Sequence, residues 1–377
     1  MSLLYIAPTK IEMDRLDGVA KKILGHIRVF AKEFDVMLLY RDNQNVTLYK
    51  EKKKIFKYYK KGKSKFDILR VAFKVVKQEK IENCYIRYPN SDPLFLFLLK
   101  KLKQRGIRVI VEIPTYPYEE EGKESLRGRI IRFIDAYYRK KIYRYVERIV
   151  TYSHDEQIFN IKTIKTVNGI DFEKVKMSKY FPEQKSIHLC GVATFHKIHG
   201  YDRVIEGLKI YYENGGARNI IFDIVGYGDN DIAQKYKDMV KKYKIEKHVI
   251  FHGRLHGVKL DDIYDKATIG VNSLAIHRQN LKHESTLKTR EYAAKGLPIL
   301  SSSFVDVFTE KDNTKFVCMV SADDSPVDIE KVIEFYDNLV KDMNINVLRS
   351  LIRTKSKGIC DMNVTLKPII SYFRTGN

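Results

Sequence analysis

Two rhythms of apolar residues take turns along this chain. Short apolar runs of strand length fall at 3–7, 36–40, 84–87, 109–113 and 149–152. They recur at 187–193, 220–225, 249–251, 269–272, 299–302 and 316–320. Between them, the stretches near 18–34, 66–80, 92–105 and 124–147 repeat their apolar residues every three or four positions. Those near 200–214, 230–244, 259–266, 284–295 and 326–340 do the same. That spacing is the stripe of a helix packed on one side. Strand and helix alternating through short turns predict parallel sheets covered on both faces. Run twice in 377 residues, the pattern predicts an α/β protein of two Rossmann-like, doubly wound domains facing a central cleft. The polar segment 171–185, with Pro182, separates them. The expected division is 1–175 and 186–360, with 361–377 an amphipathic helix able to return to the first domain.

Composition narrows the classes. No apolar run approaches the roughly 18–20 residues of a membrane-spanning helix, and the opening MSLLYIAPTK reads as a strand rather than a signal peptide. The four cysteines (Cys84, Cys190, Cys318, Cys360) are far apart and form no CxxC, which points to reduced thiols and a cytoplasmic protein. Phosphate-binding P-loop, nucleophile-elbow, HExxH and EF-hand patterns are absent. Asp261-Asp262 and Asp323-Asp324 do not form a DxD triplet after a buried strand, so no metal or other cofactor is expected.

Charge is unevenly distributed. Residues 1–180 carry 40 Lys+Arg against 22 Asp+Glu, or +18, whereas 181–377 carry 29 against 25, or +4. The excess concentrates in 51–66 and in 127–148. In 127–148 Arg and Lys alternate with Ile, Phe and Tyr at helical spacing. Such a composition suits an anionic membrane surface. Nucleic acid is the competing anionic partner, and a solvated basic face over an apolar core side is the plain structural alternative.

In open α/β sheets ligands gather beyond the carboxyl ends of strands, and candidate chemistry sits there. Glu284, Lys288 and Glu291 stand at i, i+4 and i+7, expected on one helix face, before Gly296 stops the helix. The helix start favours anions, and its carboxylates can accept from sugar or ribose hydroxyls. Gly226-Tyr227-Gly228 ends an apolar strand where a ligand could approach backbone. It lacks the third glycine of a dinucleotide fingerprint. Arg254 follows another strand, and His196, Lys197, His199 and Arg203 crowd the first turn of the 200–214 helix. Each cluster alone could be a solvated surface or a tight turn.

Taken in order, these pieces resemble glycosyltransferase family 4, retaining enzymes of the GT-B fold. The matching segments are HGYDRVIEGL (199–208), FDIVGYG (222–228), VIFHGRL (249–255), LDDIYDKATIGVNSL (260–274) and LKTREYAAKGLPIL (287–300). DGVAKKI (17–23), YIRYPNSDP (85–93), EIPTYPYEEE (112–121), IVTYS (149–153) and NGID (168–171) resemble the branch that builds bacterial capsular and exopolysaccharide glycans. The resemblance implies retaining transfer of a sugar from a nucleoside diphosphate sugar, a UDP-sugar favoured over a GDP-sugar. The acceptor would be a glycan, lipid-linked, at the inner face of the cell membrane.

Residue by residue, the resemblance sets Glu291 on the donor ribose and Lys288, with Thr289, beside the donor phosphates. It sets Gly226, Tyr227, Gly228, Arg254 and Leu255 around the nucleotide, and Asp17 and Gly18 in the acceptor-side loop. Three positions depart from the family pattern. Eight residues before Glu291 stands His283, with Glu284 next to it, and either could face the sugar. His199 stands where the family often has Lys, so Lys197 or Arg203 could supply the second cation. Thr115 and Tyr116 occupy the loop that often carries a catalytic-face histidine. The alternatives to an active transferase are a basic nucleic-acid-binding protein and a catalytically idle sugar-binding relative.

Overall fold

The computed structural model describes all residues except 14–15, 61–63, 119–124, 180–185, 282–283, 342 and 377. The chain divides into two compact units, Met1–Gly169 with Met362–Asn377, and Ile170–Asp361.

The first unit is built on strands β1 (Ser2–Lys10), β2 (Asp35–Arg41), β3 (Asn45–Lys50), β4 (Ile55–Lys60), β5 (Asn83–Arg87), β6 (Arg108–Ile113), β7 (Arg148–Thr151), β8 (Gln157–Ile158) and β9 (Ile161–Lys165). Their spatial order is β4-β3-β2-β1-β5-β6-β7-β9-β8. The β1, β2, β5, β6, β7 and β9 neighbours run parallel, while β3 and β4 add an antiparallel hairpin at one edge. The periodicity reading missed that hairpin. IFKYYK lies inside the basic run 51–66 and VTLYK just before it, where no strand is expected, although Val46 and Leu48 are buried on one face of β3 as strand alternation requires. Helices α1 (Gly18–Phe30), α2 (Lys65–Gln78), α3 (Pro93–Gln104) and α4 (Leu126–Arg139) follow their N-caps Asp17, Ser64, Asp92 and Ser125, each accepting from a first-turn amide.

The second unit has six parallel strands, β10 (Ile187–Phe195), β11 (Ile220–Gly228), β12 (Val249–Gly253), β13 (Ile269–Val271), β14 (Ile299–Ser301) and β15 (Val317–Met319), in the order β12-β11-β10-β13-β14-β15. Counted from β10 this is 3-2-1-4-5-6, the doubly wound Rossmann order. Its helices are α5 (Tyr201–Glu213), α6 (Asn230–Lys242), α7 (Val258–Lys266), α8 (Leu287–Lys295), α9 (Glu310–Phe316), α10 (Ile329–Lys341) and α11 (Ile345–Cys360). Periodicity gave no hint of α11. The short helix α12 (Met362–Thr365) and the amphipathic α13 (Lys367–Thr375) pack with the first unit, where Phe373 meets Phe34 edge-on at 6.1 Å. Among the described residues no helix is long and apolar enough to cross a membrane. All four cysteines are buried and free.

Candidate functional site

In the second unit the strand order reverses at β10, which has β11 on one side and β13 on the other. Loops leaving two such neighbouring strands part to opposite faces and leave a crevice between them. The loop after β10 runs through a 3-10 turn, Lys197–His199, into α5. The chain after β13 runs through Asn272, Ser273 and Leu274 towards α8. Backbone bonds stitch the two loops together, Leu274 N to His199 O at 3.1 Å and Ala275 N to Ile198 O at 2.9 Å. Gly200 makes this approach possible. Its φ is +61°, and a Cβ there would stand 2.9 Å from the Ala275 Cβ.

Lys288, in the first turn of α8, points into this junction. Its buried Nζ donates to His199 Nδ1 at 3.1 Å and lies 5.8 Å from the centre of the Tyr201 ring. His199 Nε2 lies 2.9 Å from Thr194 O. A carbonyl can only accept, so the proton sits on Nε2, and Nδ1 is left to accept from Lys288 and, at 3.3 Å, from the Ser273 hydroxyl. Burial and the Lys288 charge hold His199 neutral, well below its ordinary pKa. Burial also pulls Lys288 down to about 8, against the opposing pull of Glu284. A cation this weakly compensated suits an incoming anion.

Glu284 does not share a helix face with Lys288 and Glu291. Helix α8 begins at Leu287 after the N-cap Thr286, so Glu284 precedes it outside any regular element. Arg290 is the reason. Its buried guanidinium donates to Thr286 O (3.0 Å), Ser285 Oγ (2.7 Å) and Asp306 Oδ2 (2.5 Å), drawing 285–286 across the helix start. Glu284 nonetheless reaches the site. Burial raises its pKa against the pull of Lys288, Ser273 and Asn272, and its Oε1 is buried with no hydrogen-bond partner among the described residues. His283, the rival for this position, lies outside the described residues.

Neither α5 nor α8 has a side-chain cap, and α7 has none either, whereas α6, α9 and α11 of the same unit are capped by Asp229, Thr309 and Asn344. The uncapped starts of α5 and α8 flank Lys288 and His199 and leave first-turn amides for a ligand. Helix α8 is fixed by Tyr292, whose OH donates to Val271 O at 3.1 Å and accepts from Val192 N at 3.0 Å. Thr289 is buried against Thr286 O.

Glu291, one turn further on, accepts from Tyr264 of α7 at 2.7 Å. At the ends of β11 and β12 the exposed Arg254 stacks over Tyr227, guanidinium to ring centre 4.2 Å, beside the half-buried Leu255. Gly226 admits no side chain, since a Cβ would fall 2.1 Å from Ala193 O.

Other predicted residues are engaged elsewhere. Arg203 is buried and donates to Ser325 O at 2.6 Å and to Leu274 O, pinning loops rather than facing the crevice. Lys197 is exposed, and its carbonyl accepts from Arg278. In the first unit, Asp17 Oδ1 accepts from Ala20 N at 2.8 Å and Gly18 opens α1. Thr115 is exposed, and Tyr116 packs edge-on against Phe159 at 6.0 Å. Sequence reasoning missed Ser273, Asn272, Tyr264 and Arg290. Asn272-Ser273 directly follows a buried strand, a position that should have marked them, while Tyr264 reads only as an apolar helix position.

No group of three or more His, Cys, Asp or Glu side chains among the described residues could hold a metal ion. Residues 186–338 match the family model described as Glycosyl transferases group 1. No curated protein matches the chain. Among solved structures it resembles a glycosyltransferase from Rickettsia africae ESF-5 (TM-score 0.65, 12% identity, 99% of this chain and 97% of that one). It also resembles Anabaena HepE in complex with UDP (0.64, 10%, all of both chains). A third is the sucrose-phosphate synthase of Thermosynechococcus elongatus (0.65, 14%, all of both). The fold is therefore GT-B, two Rossmann-like units in one chain.

Proposed function

We propose that the protein is a retaining glycosyltransferase that moves a sugar from a nucleoside diphosphate sugar, with UDP favoured, to a lipid-linked glycan acceptor at the inner face of the cell membrane. The observation that carries this reading is the Lys288–His199–Glu284 group at the β10 switch point. It offers a buried cation, two uncapped helix starts and a carboxylate oxygen waiting for a donor. The match of 186–338 to group 1 glycosyl transferases supports it.

In this reading the diphosphate lies against Lys288 and the first amides of α5 and α8, which stabilise the negative charge growing on it as it leaves. Glu284 Oε1 accepts from a sugar hydroxyl. Glu291 accepts from the ribose, and Arg254 and Tyr227 flank the base. The acceptor hydroxyl attacks the anomeric carbon on the face the diphosphate vacates. A new C–O bond forms as the sugar–phosphate C–O bond breaks, and the hydroxyl proton passes to the departing phosphate oxygen.

Thermal-shift measurements with UDP, GDP and their sugars test the donor. Stabilisation by UDP and not GDP is expected, rising with concentration by mass action, and no shift with any nucleotide would sink the reading. Transfer assays with the stabilising sugar nucleotide then separate a working enzyme from an idle relative. Glu291→Ala should raise donor KM several-fold with kcat little changed. Tyr264→Phe, which removes the 2.7 Å bond to Glu291, should do the same to a smaller degree. An unchanged KM in Glu291→Ala argues against the ribose role.

A further inference from the structure

Helix α4 is amphipathic the wrong way round for a packed helix. Leu126, Ile130, Phe133, Ile134 and Tyr137 share one face, an arc of about 100° at 100° per residue. All five are exposed, Phe133 at 79% and Leu126 at 75%. Three of its five charged residues, Arg132, Asp135 and Arg139, turn inward. Asp135, the only acid of the helix, is fully buried and accepts from Tyr88 OH (2.6 Å), Tyr118 OH (2.7 Å) and Ser91 N (2.5 Å). Arg132 and Arg139, one turn to either side, lie over the Tyr118 ring, and Arg139 also over Phe159. So the polar stripe holds the helix to the unit, while the apolar stripe is left exposed, with Lys141 Nζ over the Tyr137 ring at 3.9 Å at its end. The plain alternative of a basic outer face over an apolar inner one is thereby reversed.

The rim of the exposed stripe is basic. Arg127 and Arg129 border it, and Lys140 and Arg144 continue beyond the helix, all exposed. A stripe of Leu, Ile, Phe and Tyr edged by cations matches the acyl–headgroup boundary of an anionic bilayer, which takes the apolar side chains below and the guanidinium and ammonium groups at phosphate level. We infer that α4 is the element that docks this protein on an anionic membrane surface, with Phe133 and Ile130 inserted below the headgroups. The inference rests on the membrane-surface part of the function proposed above and is independent of the donor site.

The chain contains no tryptophan, so Phe133→Trp places a single reporter on the stripe. With phosphatidylglycerol-containing vesicles its emission should shift to the blue and be quenched by lipids brominated on the acyl chain. With pure phosphatidylcholine both changes should be much smaller. That comparison also reads the net sign of a region whose preceding segment is rich in glutamate (Glu119, Glu120, Glu121, Glu124). In co-sedimentation, Ile130→Glu/Phe133→Glu should lower partition onto anionic vesicles about tenfold or more, the scale of one large apolar side chain left in water. Its UDP-induced thermal shift should equal that of the wild type, which shows that the variant is folded. Equal sedimentation of variant and wild type would leave membrane binding standing and overturn the role of α4. Absence of binding by the wild type would overturn both, while the UDP shift still reports on sugar transfer separately. A concentration-dependent dimer abolished by the double variant would assign the stripe to a second copy of the chain instead.

Discussion

Replacing Lys288 with alanine should lower kcat/KM by about 100-fold or more, the loss found when one preorganised donor to a developing oxyanion is removed. The ammonium is buried, is held by His199 at 3.1 Å, and stands at the uncapped start of α8. Of the two cations weighed as its partner, Arg203 is spent on Leu274 O and Ser325 O, and Lys197 is exposed with its carbonyl held by Arg278. The fold should survive, since His199 Nδ1 keeps the Ser273 hydroxyl and Nε2 keeps Thr194 O. Steady-state kinetics alongside a melting curve check both halves, and near-wild-type turnover removes Lys288 from the mechanism.

The same residue sets a pH dependence. Burial lowers Lys288 to about 8, so UDP affinity should fall as pH rises through that value and the ammonium is lost. In the absence of ligand the sign is opposite. Between about 8 and the ordinary 10.5 the unfolded chain holds the proton more tightly, so stability contributed by this group rises with pH across that window. Lys288→Met should flatten the dependence of UDP affinity, which calorimetric titration at pH 7 and 9 reads directly.

How far these features were legible follows from their physics. The parallel strands of the second unit are near-continuous apolar runs, and the loops of the candidate site follow such strands, so Gly226, Arg254, Lys288 and Glu291 could be named as candidates by position. The start of α8 could not. Thr286 and Ser285 look like ordinary helix-entry residues, and only the long reach of Arg290 to Asp306 displaces Glu284 from the helix. The orientation of α4 was equally hidden. Periodicity reveals a stripe but not which side the protein takes, and that is decided by Asp135 meeting Tyr88 and Tyr118 from distant segments. The hairpin β3–β4 was obscured because lysines interrupt its alternation at an edge, where charge keeps strands from pairing with other chains. Lys22 and Glu112 were invisible as partners for the same reason that Arg290 was: 90 residues separate them.

That pair gives the largest expected effect on stability. Glu112 of β6 is fully buried, and Lys22 of α1 nearly so. The Lys22 ammonium donates to Glu112 Oε1 at 2.7 Å, Asn168 Oδ1 at 2.6 Å and the Tyr152 hydroxyl. Tyr152 OH donates to the same carboxylate oxygen at 2.5 Å, and Arg87 lies 3.4 Å away. Burial works to raise the Glu112 pKa, but the charges of Lys22 and Arg87 outweigh it and hold the carboxyl far below its usual range. Lys22→Met should therefore destabilise the first unit by about 3–5 kcal/mol, the cost of leaving a buried charge without its partner. Lys22→Met/Glu112→Leu should recover much of that loss, because no charge is then stranded. Acid should act in the same direction. A depressed carboxylate stabilises above its unfolded pKa and loses that contribution as pH falls below it. Burial also lowers His26 to about 3, so the unfolded chain takes up its proton first, from about pH 6.5 downward. Wild-type protection of α1 and β6 in peptide-resolved hydrogen exchange should thus weaken from pH 6.5 to 4. Lys22→Met should show weakened protection already at pH 7, and a variant within about 1 kcal/mol of wild type there would mean that the carboxylate finds its compensation in Arg87 and the tyrosine hydroxyls alone.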